Sequence, residues 1–194
     1  MMRIVVKQHN PTTFYQSFIA NPIPLSIAKV IIGAIAIFAS AQIAIPIKPV
    51  PITLHTVMIS IIAFTYTPRL GFITVLTYIM AGILGLPMFS KFSGGLHYFM
   101  GATFGYLIGM LIATPIMSIL SIKLSSKFFG VFLSCLAGHV IIYLFGMSWL
   151  TTIIGVKQAL YSGVIVYIPT GMAKILIFSY LYSYLKGRNV RYLG

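Results

Sequence analysis

The sequence predicts an all-α integral membrane protein, a bundle of six transmembrane helices with a glycine- and aromatic-rich extracellular loop over a pocket. Three observations predict it. The 194 residues are 59% hydrophobic and only 7% charged, with a mean hydropathy of +1.04, whereas about a quarter of a soluble domain is charged. The apolar residues fall into runs bounded by Pro, Gly and Lys. The thirteen Lys and Arg, against no Asp or Glu, concentrate on alternate connections between those runs. A disordered chain would be poor in Ile, Leu, Val and Phe, so the solvent that tolerates such a surface is lipid.

The first run spans residues 25–45 and ends at the proline-rich stretch Pro46-Ile47-Lys48-Pro49-Val50-Pro51. The second, 53–66, is short for a span at about 1.5 Å per residue unless the bilayer thins locally. The turn Thr67-Pro68-Arg69 sends the third, 70–84, back antiparallel to it. Residues 85–101 form a loop too apolar to be a simple aqueous linker. The fourth run is 103–122, the fifth 128–149 and the sixth 163–185, with 151–161 as a short interfacial helix. No internal repeat or second domain is evident, which predicts a single domain over 1–194 whose first 24 residues form a cytoplasmic segment. That segment is too polar and interrupted to be a signal-peptide core.

With the N-terminus inside, Arg3, Lys7, Lys29, Arg69, Lys123, Lys127, Lys186, Arg188 and Arg191 are cytoplasmic. Only Lys48, Lys91 and Lys157 are outside, and Lys174 lies within the sixth run. The positive-inside rule therefore favours an even number of spans in the cytoplasmic membrane, with both termini cytoplasmic. The basic residues face anionic lipid rather than nucleic acid, since they form no basic stripe. Along the first run Ala28, Gly33, Ala34, Ala36, Ala39, Ser40 and Ala41 mark a close-packing face. It packs within the chain or docks a partner subunit.

The absence of carboxylates excludes much chemistry. Carboxylate-held Mg²⁺ or Ca²⁺ sites and paired acids for general acid–base catalysis are ruled out. No P-loop is present, and His9, His55, His97 and His139 lack zinc-helix spacing. Cys135 lies in an apolar run without a nucleophile's partners. An enzyme is disfavoured, and no catalytic residue, metal or cofactor is predicted.

Two features remain that can carry function. Lys174 sits in an apolar span where no acidic side chain can neutralise it, at an insertion cost on the order of 3 kcal/mol. It snorkels, pairs with carbonyls, loses its proton, or meets a ligand's carboxylate or carbonyl. The second feature is the 85–101 loop, with Phe89, Lys91, Gly94, Gly95 and His97. Its glycines permit close backbone approach and its rings offer apolar walls; the alternative is a lid that packs only on itself. Thr103 and Tyr106 follow at the opening of the next helix, whose N-terminus suits an anionic or carbonyl group.

Several segments, in order, resemble the BioY family, the biotin-binding S component of energy-coupling-factor (ECF) transporters, over nearly the whole chain. They are residues 45–56 (IPIKPVPITLHT), Pro68-Arg69-Leu70-Gly71, 85–89 (GLPMF), Ser93-Gly94-Gly95, 101–109 (GATFGYLIG), 138–144 (GHVIIYL) and Pro169 to Lys174. The resemblance implies six helices and a biotin pocket opening outward beneath the extracellular loops. It also implies docking onto an ECF transmembrane subunit with two cytosolic ATPase subunits, although some family members work without that module. The family's Pro-x-Asp-x-x-Lys pattern falls on Pro169 to Lys174, so the lysine is kept and Gly171 replaces the acid. Thr170 or a backbone carbonyl must then accept from the ureido ring. His55 stands where the family often has Gln, Ala102 replaces a Pro, and Tyr143 belongs to the matching 138–144 segment. The alternatives are an S component for another vitamin and a structural membrane protein without ligand.

Overall fold

The computed structural model describes residues 22–124 and 127–191, without the side chains of 22–23 and 187–191. Most of the expected 1–24 segment, including Arg3, Lys7 and His9, lies outside the described residues. Helix α1 runs Pro22–Gln42 and is followed by strands β1 (Ala44–Ile45) and β2 (Ile52–Thr53). Then come α2 (His55–Thr65), α3 (Pro68–Ile83), the one-turn α4 (Leu96–Phe99), α5 (Phe104–Lys123), α6 (Phe128–Ile154), the short α7 (Val156–Gly163) and α8 (Ile168–Arg191). Four stretches are long and apolar enough to cross a membrane: Pro24–Gln42, Phe104–Lys123, Phe128–Ile154 and Val156–Lys186. Helices α2 and α3 are apolar but shorter.

The departures from the sequence reading have local causes. Helix α1 stops at Gln42, three residues early, because the chain turns into an antiparallel hairpin pairing Ala44 with Thr53 and Ile45 with Ile52. Pro46, Pro49 and Pro51 cannot donate backbone hydrogen bonds, so the enclosed loop cannot continue a helix. Helix α6 continues past Trp149 to Ile154, taking in the first residues assigned to an interfacial helix. Gly155, at φ +81°, then breaks the chain before α7. Helix α8 begins at Ile168 rather than 163, with Pro169 in its first turn, where a missing N–H costs nothing. The α2–α3 turn is as read: Thr67 caps α3, accepting from Leu70 N at 3.4 Å, with Pro68 as the first helical residue.

In lipid, helix association depends on close packing rather than on apolar burial, and α5 and α6 meet along a glycine seam. A Cβ at Gly109 would lie 2.8 Å from Ile142 Cα, and one at Gly105 would lie 2.6 Å from Trp149 Cβ. From the other side, Gly146 faces the Tyr106 ring and Gly138 faces Met117. Gly33 of α1 meets Thr74 of α3 at 2.6 Å on the same measure, so this part of the small-residue face packs within the chain. Ala34, Ser40 and Ala41 are also buried, whereas Ala39 is exposed.

The 85–101 loop is ordered by named bonds. Gly85 and Gly95 adopt positive φ (+99° and +88°), and Gly95 N donates to Gly82 O at 2.7 Å. Phe89 N donates to Ser93 O at 2.8 Å. At the end of α1, Gln42 grips the loop with both ends of its amide. Its Nε2 donates to Phe89 O at 3.1 Å and its Oε1 accepts from Phe92 N at 2.9 Å. Phe89 is buried against Gly82, stacked on Tyr98 (5.4 Å, 14°) and edge-on to Tyr78 (5.8 Å, 83°).

Two outcomes follow from this packing. Gly109→Leu overfills the α5–α6 seam and lowers stability by about 1–3 kcal/mol, read as a lower thermal midpoint in detergent; an unchanged midpoint means the seam has slack. Gln42→Ala leaves the bundle intact but frees the loop, so hydrogen exchange at the Phe92 amide accelerates by about fivefold for roughly 1 kcal/mol lost.

Candidate binding cavity

Helix ends, hairpin and loop converge at one end of the bundle around a cavity of about 670 Å³, counting its open mouth. Helix α5 and its N-cap residue contribute Thr103, Tyr106, Leu107 and Met110, residues three, four and seven apart along one face. Helix α8 and the turn before it contribute Tyr167, Thr170 and Lys174 with the same spacing. Helix α6 adds Ile142 and Tyr143, and the loop adds Phe89, Ser90 and Tyr98. The remaining wall is the second arm of the hairpin, Val50 to Thr53, with His55 and Thr56 at the start of α2.

Lys174 Nζ donates to Thr53 O at 2.6 Å. Of the fates open to a cation in an acid-free chain, pairing with a backbone carbonyl is the one observed. One carbonyl satisfies one of an ammonium's three donors, and Lys174 remains part of the cavity wall. Tyr167 Oη donates to Val50 O, a second link from the α8 side to the hairpin. His55 is buried with both ring nitrogens engaged, Nδ1 with Thr53 Oγ1 at 3.0 Å and Nε2 with Tyr78 Oη at 2.8 Å. It holds the hairpin arm against α3.

Three wall hydroxyls are buried without a hydrogen-bond partner: Thr56 Oγ1, Ser90 Oγ and Thr103 Oγ1. An unpartnered buried hydroxyl costs about 1–3 kcal/mol. Three of them around one cavity, drawn from α2, the loop and the residue before α5, form a set of donors and acceptors available to a guest. Among the described residues, no three His or Cys side chains gather to hold a metal.

Of the residues singled out from sequence, Phe89, His55, Thr103, Tyr106, Tyr143, Thr170 and Lys174 are on the wall. Gly171 is buried beside it, against Tyr143. Gly94, Gly95, His97 and Lys91 are not on the wall. A Cβ at Gly94 would run into Leu86 O, and Gly95 caps α4, so these glycines shape the loop rather than touch the cavity. The His97 and Lys91 side chains are exposed. The wall residues not singled out as contacts divide into two kinds. Leu107, Met110 and Tyr167 extend helical periodicities that already included Thr103 and Thr170, and Ile142 directly precedes Tyr143 on α6. Val50 to Thr53, Thr56, Ser90 and Tyr98 have no such signal, since irregular backbone delivers most of them.

The sequence model of the BioY family matches residues 14–190. A probable biotin transporter BioY of Rickettsia prowazekii (strain Madrid E) is 53% identical over 173 residues, covering 89% of each chain. The biotin transporter BioY of Thermotoga maritima is 31% identical over 142 residues, 73% of this chain and 83% of its own. The fold matches the crystal structure of the S-component for biotin from an ECF-type ABC transporter, with a TM-score of 0.74 and 23% identity. The match covers 92% of this chain and 94% of the other. With a family match over most of its length and a relative at more than half identity, this chain belongs to the BioY family.

Proposed function

We propose that the chain is a biotin transporter, the substrate-capture (S) component that takes biotin up across the cytoplasmic membrane, alone or with an ECF energising module. The observation that carries this function is the cavity itself, an aromatic and aliphatic chamber holding one cation and three unpartnered hydroxyls, in a chain with no carboxylate. Biotin's chemistry matches it. The fused rings and valerate chain are apolar, the ureido group offers N–H donors and a carbonyl, and the carboxylate is an anion. Lys174 donates to a ligand oxygen, while Thr56, Ser90 and Thr103 complete the polar contacts. Family members are named for biotin transport, and the solved structure sharing the fold is an S-component for biotin.

His55 acts by positioning Thr53, whose carbonyl Lys174 uses. Lys91 and His97 lie outside the wall and serve the loop's outer surface. The whole of 1–194 is one domain, with 1–24 on the cytoplasmic side. Six helices span the membrane. Helices α2 and α3, with 11 and 16 residues, reach about 17 and 24 Å at 1.5 Å per residue. Against a hydrocarbon core of about 30 Å, they fit where the bilayer thins or where longer neighbours shield their ends. The basic residues favour cytoplasmic termini and an outward-facing cavity. The chain has no nucleotide-binding loop, so energy for uptake comes from an ECF transmembrane subunit and two cytosolic ATPases, or uptake is passive. Nucleic acid is no partner.

Purified chain in detergent binds biotin saturably, and riboflavin and thiamine fail to compete. Competition by either assigns a different vitamin, and no saturable ligand at all leaves a structural membrane protein. Lys174→Ala inserts and folds but binds biotin about 100-fold more weakly, the loss of a charged hydrogen bond of roughly 3 kcal/mol. Wild-type affinity in that variant makes the lysine a brace for the hairpin alone.

A further inference from the structure

A cavity without a carboxylate must accept a ligand's N–H groups on some other fixed lone pair. Tyr143 supplies one. Its Oη lies 3.3 Å from Tyr167 O, to which it donates. A carbonyl can only accept, so the phenolic proton points at the backbone and the oxygen's lone pairs are what it has left. A second buried lone pair lies beside this corner. His139 Nδ1 faces Cys135 O at 2.9 Å and so carries the ring proton, leaving buried Nε2 as an unpartnered lone pair. With its proton turned to Tyr167 O, Tyr143 Oη is left as an acceptor on a residue of the cavity wall. The rotatable hydroxyls of Thr56, Ser90 and Thr103 have no such preset sense.

The place of this oxygen is decided by Gly171. A Cβ on Gly171 would collide with Tyr143 Oη, while the ring's Cζ would be 3.4 Å away, in ordinary contact, and His139 Cδ2 would be at 3.7 Å. The hydroxyl thus fills the volume into which a side chain at 171 would project. Thr170 and Lys174, both on the wall, flank Gly171 along the sequence of α8.

We propose that Tyr143 Oη, seated where a side chain at 171 would project, accepts a ureido N–H of the ligand, so that the two residues act as one specificity-determining pair. The assignment rests on the cavity being a biotin site. It differs from a packing role in being selective for ligands that bring an N–H.

The test is calorimetric titration of the full chain in detergent with biotin and with biotin methylated on its ureido nitrogens. Tyr143→Phe weakens biotin about tenfold or more and changes the methylated ligand by less than about threefold, since that ligand cannot use the acceptor. Gly171→Asp alone weakens biotin, because its carboxylate meets the hydroxyl. Gly171→Asp combined with Tyr143→Phe binds biotin better than either single variant, the carboxylate taking the vacated space as the new acceptor. Equal losses for both ligands in Tyr143→Phe, or a double variant no better than the singles, overturn the assignment while wild-type biotin binding stands. A wild-type chain that does not bind biotin overturns the function and this assignment together.

Discussion

Lys174 donating to Thr53 O joins the final long helix to the hairpin behind α1, 121 residues earlier in the chain. The constraint behind that bond is electrostatic. In a chain without Asp or Glu, a cation at membrane depth has no side-chain anion to pair with, and only oxygen dipoles can stabilise it. The nearest strong dipole is a backbone carbonyl held outside regular helix, and the β1–β2 hairpin provides it. The hairpin is kept in place by His55, clamped between Thr53 and Tyr78, and by Tyr167 reaching Val50 O. Cation, hairpin and cavity wall are therefore one arrangement: loss of the hairpin would leave the ammonium without its carbonyl and the cavity without a side.

The rest of the bundle serves to bring those parts together at close range. Helices packed in lipid gain little from burying apolar surface, so backbone proximity has to come from residues without side chains. Gly105, Gly109, Gly138 and Gly146 bring α5 and α6 together, and Gly146 leaves room for the Tyr106 ring. Tyr106 in turn donates to Gly163 O at 2.7 Å, joining α5 to α7, while Trp149 Nε1 reaches Gly101 O at 3.0 Å. At the same end, Gln42 and the Phe89 stack hold the 85–101 loop over the cavity. Irregular backbone at this depth is tolerated because its polar groups are satisfied by protein.

What the cavity offers a guest is an unusual division of labour among polar groups. Donors come from an ammonium and acceptors from oxygens whose protons are already committed to the backbone. Freely rotating hydroxyls can adopt either role. Such a set suits a neutral ring with both N–H and C=O groups and an anionic tail, the proposed biotin, and it does not require metal or carboxylate chemistry.

Composition and periodicity by themselves determined the membrane class, the positions of the long helices, the Thr67-Pro68 turn and the prominence of Lys174. These are legible because lipid imposes one strong rule, continuous apolar helix, and because a lone cation violates it visibly. Thr103 and Tyr106 were legible as the opening of an apolar helix, and Thr170 through the family pattern that falls on Pro169 to Lys174. The hairpin, the role of His55 as a brace, the exposed positions of Lys91 and His97, and the meeting of Tyr143 with Gly171 were decided only by tertiary structure. They depend on groups from distant segments approaching within hydrogen-bond range. No local pattern encodes such an approach, because it is set by how closely the glycine seams let the helices pack.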